Sequence, residues 1–315
     1  MTMPNFFIIG AQKAGTTSLY HYLNQHPQIY MSPVKEPFFF DHEMDSNGEV
    51  LRREFGNPGH QQAPRFTNIE EYRALFSGVN GESAIGEASP LYIYAPGTAE
   101  RIKQYAPEAR AIALLRDPAE RAYSAFLYAV RIGVEPLTDF AQALREEDNR
   151  VRENWHYVFH YRNRGLYHGQ IGHYYEVLGR ESTGVWLYED LSGDPASVVR
   201  NVFGFLGVDD SFTSDTSLRY NPAGVPMSGA ARATMRVVDK TAWTARKVLL
   251  PTSTLFPFVS KMLQAVQGRI LTKPPPIDLE IRAELIKGYR EDILKLQELI
   301  GRDLSPWLIV EEDKR

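Results

Sequence analysis

Residues Phe6 to Leu23 read FFIIGAQKAGTTSLYHYL. Asn5 to Ile9 is an apolar run bounded by Pro4 and Gly10, the pattern of a short strand buried on both faces. From Thr16 onward Leu19, Tyr20 and Leu23 recur at helical spacing, with Thr16, Thr17 or Ser18 as N-cap and His26-Pro27 ending the element. The order is therefore strand, glycine loop, helix. Backbone N–H groups at such a helix start form an anion cradle, for which Gly15, Thr16, Thr17 and Ser18 supply amides and the last three of them hydroxyls. Gly10 and Gly15 have the spacing of the nucleotide-hydrolysing loop G-x-x-x-x-G-K-[ST]. Thr16 stands where that loop has its lysine, and the lysine sits inside the loop at Lys13.

The same unit occurs a second time. Arg110 to Leu115 (RAIALL) repeats the buried-strand pattern, and RDPAERAYSAFLYAV starts a helix with Asp117 as N-cap and Pro118 at the first helical position. Ala84–Glu87 and Gly184–Tyr188 read as two more strands, and Val199, Phe203 and Leu206 mark an amphipathic helix. This alternation predicts an α/β protein: a P-loop-like three-layer fold with a central parallel sheet flanked by helices, plus a mostly helical C-terminal region. In such sheets ligands bind beyond the carboxyl ends of the strands, where Lys13, Glu87 and Arg116 all fall. We expect one domain over 1–315, with an exposed insertion at 45–65, a basic, apolar-rich lid or surface region at 226–273 and a C-terminal helix at 279–299.

Bulk composition narrows the function classes. A net charge of −4 gives no general affinity for nucleic acid, so anion binding has to be local. The absence of cysteine excludes disulfides, thiolate zinc sites and cysteine nucleophiles. The N-terminal apolar run is short and lacks the basic start of a secretory signal, from which a cytoplasmic location is expected. Val248–Ala265 is interrupted by Pro251, Pro257 and Lys261 and does not read as a membrane span. Pro226–Lys273 carries eight Lys or Arg against one acid, Asp239. Four readings stay open for it: a lid, a surface for an acidic partner, a peripheral membrane contact, or an ordinary solvated face. Nothing in the sequence speaks to oligomeric state.

The second strand ends in Arg116, a cation where an ATP-using enzyme would offer an acid for magnesium. A transferred group with less charge than a phosphoryl needs no metal if a lysine neutralises the leaving oxygen, and sulfuryl transfer meets that description. QKAGTTSL together with ALLRDPAERAYSAF resembles the sulfotransferases that use 3′-phosphoadenosine 5′-phosphosulfate (PAPS). KEPFFFD at Lys35–Asp41 and GEASPLY at Gly86–Tyr92 resemble the glycan (heparan-sulfate-like) branch and its bacterial relatives. The similarity runs from Phe6 to about Gly224.

The resemblance implies that Lys13, Ala14, Gly15, Thr16, Thr17 and Ser18 hold the 5′-phosphosulfate and that Arg116 and Ser124 hold the 3′-phosphate. An arginine at a strand end and a serine in the following helix clamp one phosphate from two sides. The family's closing loop falls at RYNPAGVP, which lacks its usual lysine-glycine, so Arg219, Asn221 and Gly224 are the substitutes offered for the third nucleotide contact. PAPS would be the donor, 3′,5′-ADP (PAP) the product, and no metal is called for.

On the acceptor side a base must take a hydroxyl proton as the bond to sulfur forms. Glu36 matches the family's glutamate ahead of an aromatic pair and is the candidate, against the bland alternative of a loop glutamate paired with Lys35. Lys35 is a possible contact of the sulfuryl oxygens, Glu87 is the rival carboxylate that either orients Lys13 or binds the acceptor, and Tyr167 in the RGLY segment is expected to line the site. His21 and His26 read as structural, and His168 and His173, five apart, do not match helical metal ligands. The alternating Trp155, Tyr157, Phe159 and Tyr161 fit a ring-stacking wall as well as simple packing. The reaction expected is sulfuryl transfer to a hydroxyl, or secondarily an amine, of a carbohydrate, lipid or natural-product acceptor. The alternatives are a P-loop kinase using ATP and magnesium, or a non-catalytic nucleotide-binding module.

Overall fold

The apolar run after Pro4 forms strand β1 (Phe6–Gly10), buried at every residue. It is the middle strand of a five-stranded sheet. The computed structural model describes residues 2–45, 49–51, 55–56, 66–217, 225–226, 271–272 and 274–310. Within these the chain continues through α1 (Thr16–Leu23), β2 (Ile29–Met31), α2 (Ile69–Arg73), β3 (Ala84–Ala88), α3 (Thr98–Tyr105) and β4 (Arg110–Leu115). It then passes through α4 (Pro118–Ile132), α5 (Phe140–Arg152), α6 (Tyr167–Leu178), β5 (Thr183–Leu187), α7 (Tyr188–Gly193) and α8 (Pro195–Leu206). The two-residue strands β6 (Val225–Pro226) and β7 (Leu271–Thr272) pair antiparallel, and α9 (Leu279–Ile300) follows.

The sheet order is β2-β3-β1-β4-β5 and every pairing is parallel. The chain therefore builds one side of the sheet before β3 ends and then crosses to the other, so the topological switch lies between β1 and β4. The β1–β4 register slips between Ile8 and Gly10, at the point where β1 gives way to the glycine loop. Gly86 pairs with Phe6, and a Cβ there would come within 2.1 Å of the Phe6 ring, so the aromatic and the missing side chain fit together.

One cluster of buried hydrophobic residues runs from Phe6 to Trp307 and includes the inner faces of α4, α6, α8 and α9. The expected strands are present to within a residue. β2 is an addition: with three residues it shows no periodicity in sequence. Most of the 45–65 insertion, and all of 226–273 except β6 and β7, lie outside the described residues.

Candidate active site

The cavity at the carboxyl edge of the sheet measures about 270 Å³, and residues directly following four different strands line it: Gln12 and Lys13 after β1, Pro90 after β3, Arg116 after β4 and Tyr188 after β5. Gly15, Thr16, Thr17, Ser18 and Tyr22 close it from α1, Ser124 and Tyr128 from α4, and Glu36 from the loop after β2.

Gly15 is the N-cap of α1 at φ 90° and no side chain caps the helix. That leaves the first turn of amides, with the positive end of the helix, facing the cavity. A Cβ on Gly15 would approach Tyr188 and Leu191 to 3.1 Å, so both backbone conformation and packing require glycine. Lys13 also has positive φ, 74°, and its Nζ lies 4.5 Å from the centre of the Tyr128 ring. Burial, then the nearby charges of Arg131 and Arg116, lower its ammonium to about 7, while Glu36 acts in the opposite direction. The site is thus short of negative charge.

Arg116 reaches back over the loop: Nη1 donates to the Lys13 carbonyl at 3.3 Å, Nη2 lies 3.4 Å from Glu120 Oε2, and the guanidinium stacks 4.8 Å from the centre of Tyr188. Asp117 caps α4 by accepting from the amides of Ala119 (2.9 Å) and Glu120 (3.2 Å). Its own amide donates to Glu189 Oε1 at 3.2 Å. Burial raises the Glu189 carboxyl pKa. Ser124 lies on the same helix, with its side chain at the cavity wall.

The loop from Ser32 to Asp41 follows β2 and brings Glu36 to the cavity. Glu36 has φ 60°, its amide donates to Ala88 O at 2.9 Å, and its carboxylate forms an ion pair with Lys35 while lining the cavity. The pairing with Lys35 is thus present, on a residue that also reaches the cavity. Phe39 and Phe40 are wholly buried, Phe39 stacking on Tyr72 at 4.5 Å and Phe40 meeting Phe7 edge-on at 5.7 Å.

Other expected residues stand elsewhere. Ala14 is buried, its amide donates to Ala11 O at 3.1 Å, and it is not among the residues lining the cavity. Lys35 is not in the cavity wall. Glu87 is fully buried, accepting from the hydroxyls of Tyr92 (2.7 Å), Ser89 (2.8 Å) and Tyr72 (3.0 Å), rather than facing Lys13 or an acceptor. Tyr167 does not line the cavity but donates to the Arg116 carbonyl at 3.0 Å, behind the site. Arg164, also in RGLY, donates to Tyr157 O at 3.1 Å and to the Gln12 side chain, supporting the loop from below. Arg219, Asn221 and Gly224 lie outside the described residues.

Tyr157, Phe159 and Tyr161 are buried, and the Arg150 guanidinium packs 5.0 Å from the Trp155 ring and 5.2 Å from the Phe159 ring. None of the four aromatics lines this cavity; Tyr161 packs against Phe126 and Phe140, and Tyr157 lies in a separate small cluster with Leu91 and Ala95. His26 sits between Phe203 and Phe212, its Nδ1 accepting from the Gln28 amide, and so is structural. His173 pairs with Glu100 at 3.0 Å, and among the described residues no group of three His, Cys, Asp or Glu is placed to hold a metal ion. Tyr188, Ser192, Tyr128 and Thr216 line the cavity without having been expected there.

Residues 4–213 match the model of the Sulfotransferase family. The crystal structure of a sulfotransferase from Alicyclobacillus acidocaldarius superposes with a TM-score of 0.71 at 34% identity, covering 98% of this chain and 99% of that one. Membrane-associated sulfotransferase kil1 of Dictyostelium discoideum is 34% identical over 42% of this chain. Mouse bifunctional heparan sulfate N-deacetylase/N-sulfotransferase 4 is 27% identical over 99% of this chain. The chain spans 24% and 32% of the lengths of these two relatives. Among the described residues no helix is long and apolar enough to cross a membrane.

Proposed function

The chain belongs to the sulfotransferase family, and from that premise we propose that it transfers a sulfuryl group from PAPS to a hydroxyl, without a metal ion. The observation that carries this proposal is one cavity holding an uncapped helix N-terminus, Lys13, Arg116 and Ser124 together with the Glu36 carboxylate. The donor would supply an activated sulfuryl on a phosphate leaving group. Gly15 and the first amides of α1, with the hydroxyls of Thr16, Thr17 and Ser18, would hold its 5′ end, and Arg116 with Ser124 its 3′-phosphate. Glu36 takes the acceptor proton as the acceptor oxygen bonds to sulfur, and Lys13 stabilises the electron pair that stays on the departing phosphate oxygen. Most of the acceleration then comes from positioning, with Lys13 and Arg116 just beyond strand ends, the hydroxyls at a helix start, Ser124 within α4 and Glu36 in the loop after β2. We read residues 1–315 as one such domain. Arg219, Asn221 and Gly224 remain the proposed third nucleotide contact.

A carbohydrate is the first acceptor class to screen, because the heparan sulfate relative names one; that relative's N-sulfotransferase activity places a sugar amine second. Lipid and natural-product hydroxyls follow, with a peripheral membrane contact at 226–273 as the corresponding partner reading. The deciding experiment is calorimetric titration with PAP in chelator, beside ATP with magnesium. Metal-free PAP binding with little for ATP supports the donor site, and the reverse pattern overturns it in favour of the kinase. Binding of PAP without transfer from labelled PAPS to any acceptor would leave a nucleotide-binding module. Lys13→Ala and Glu36→Gln should both fold and lose turnover, the first also weakening PAP binding.

A further inference from the structure

We propose that Glu87 is the positioning residue of the acceptor-side loop: through Tyr92 and Ser89 it fixes the backbone of Phe38, Phe39 and Phe40, and so the aim of the Glu36 carboxylate. The proposal rests on Glu36 being the base.

The hydrogen bonds have one consistent polarity. When Glu87 is ionised its oxygens can only accept, and Tyr92, Ser89 and Tyr72 then each turn their proton toward it. Their lone pairs are then free to face the loop. The Tyr92 oxygen accepts from the amides of Phe39 at 3.0 Å and Phe40 at 3.1 Å, and Ser89 Oγ accepts from the amide of Phe38 at 3.2 Å. Three consecutive loop amides are thereby held by two hydroxyls, both oriented by one carboxylate.

The loop needs such support. Glu36 at φ 60° and Phe38 at φ 52° occupy the left-handed region, which non-glycine residues adopt only where their surroundings over-determine it. Neither is in a helix or strand. The Glu36 amide reaches Ala88 O, on the residue following Glu87, and the Phe39 ring stacks on Tyr72, the third donor to Glu87. Burial raises the Glu87 carboxyl to about 7 and the three hydroxyl bonds act against that shift.

The test is a double-mutant cycle. Tyr92→Phe keeps the buried ring and removes the acceptor for two loop amides, and Ser89→Ala does the same for the third should Tyr92→Phe fail to fold. Either variant should lower kcat by roughly 10–100-fold, the scale of about 1 Å of misplacement, with PAP affinity within about twofold of the parent. In a Glu36→Gln background the same substitution should cause no further loss, because there is no base left to aim. An unchanged kcat in both folded variants, or an equal loss with and without Glu36, would overturn the proposal while leaving Glu36 as base. Full activity of Glu36→Gln alone would remove the base assignment and this proposal with it.

Discussion

Arg282 Nη2 lies 2.7 Å from Asp117 Oδ2 with both side chains buried, so the last helix grips the residue that follows Arg116. Arg282 Nη1 also stands 3.4 Å from Glu120 Oε1, and the other oxygen of Glu120 stands 3.4 Å from Arg116 Nη2. Glu120 is therefore shared between a structural arginine and the arginine proposed to hold the 3′-phosphate. Arg282→Met leaves Asp117 buried without its partner, a loss on the order of 3–5 kcal/mol for such pairs. It also leaves Glu120 to compete with the nucleotide for Arg116. Both the melting temperature and the PAP affinity should fall, and adding Glu120→Gln should restore affinity but not stability. Equal affinity in Arg282→Met and parent would rule out the competition.

Lys13 gives a pH dependence whose sign is fixed. Its ammonium titrates at about 7 in the folded protein against the ordinary 10.5. Between those values the unfolded chain binds more protons, so the ligand-free protein gains stability as pH rises through that window and lacks this gain below 7. A bound 5′-phosphate restores the ammonium, so PAP binding takes up a proton above pH 7 and its affinity falls by up to about tenfold per pH unit. Calorimetry at pH 8 in two buffers of different ionisation enthalpy reads the uptake directly. Lys13→Met should abolish it; an unchanged uptake in that variant would assign the proton elsewhere.

The strand-loop-helix at Phe6–Leu23 was legible because two glycines and a change of period fall within eighteen residues. Lys13 and Arg116 were legible because strand ends mark the crevice in a parallel sheet. Tyr188 was hidden by a boundary: counted as the last residue of a strand, it is the first residue of α7 and faces the cavity. Tyr128 follows Ser124 by four residues on one helix, a spacing that places both on one face and would have exposed it. The alternation Trp155 to Tyr161 imitates a strand face, yet Tyr157–Phe159 is a 3₁₀ turn and the rings pack around Arg150 and in the core. The left-handed backbone at Glu36 and Phe38 was beyond reading, since a positive φ at a non-glycine residue is imposed by tertiary contacts such as those of their amides to Ala88 O and Ser89 Oγ.

Arg164 supports the loop after β1 from inside the core. Burial, and then Arg121 beside it, disfavour its charge, and it is compensated by the Tyr157 carbonyl and the Gln12 side chain. Arg164→Met should free Gln12 and loosen the loop, weakening PAP binding several-fold. Gln12→Ala should reproduce the weakening without the loss of stability. A wild-type PAP affinity in folded Arg164→Met would make the residue purely a packing element.

Two glycines separate stability from binding. At Gly86 an added Cβ meets the Phe6 ring at 2.1–2.4 Å, between two central strands and away from the cavity. Overpacking of this kind costs about 1–3 kcal/mol or more, so Gly86→Ala should lower the melting temperature and leave PAP affinity in the folded fraction unchanged. At Gly15 the contacts are milder, 3.1 Å to Leu191 and Tyr188, but φ is +90° and the residue opens the helix that faces the ligand. Alanine there must turn the first amides of α1 to relieve its own backbone. Gly15→Ala should therefore lose PAP binding out of proportion to its stability loss. Thermal melts paired with PAP titrations of both variants give the comparison, and retained binding in Gly15→Ala would mean that the α1 amides are not the cradle.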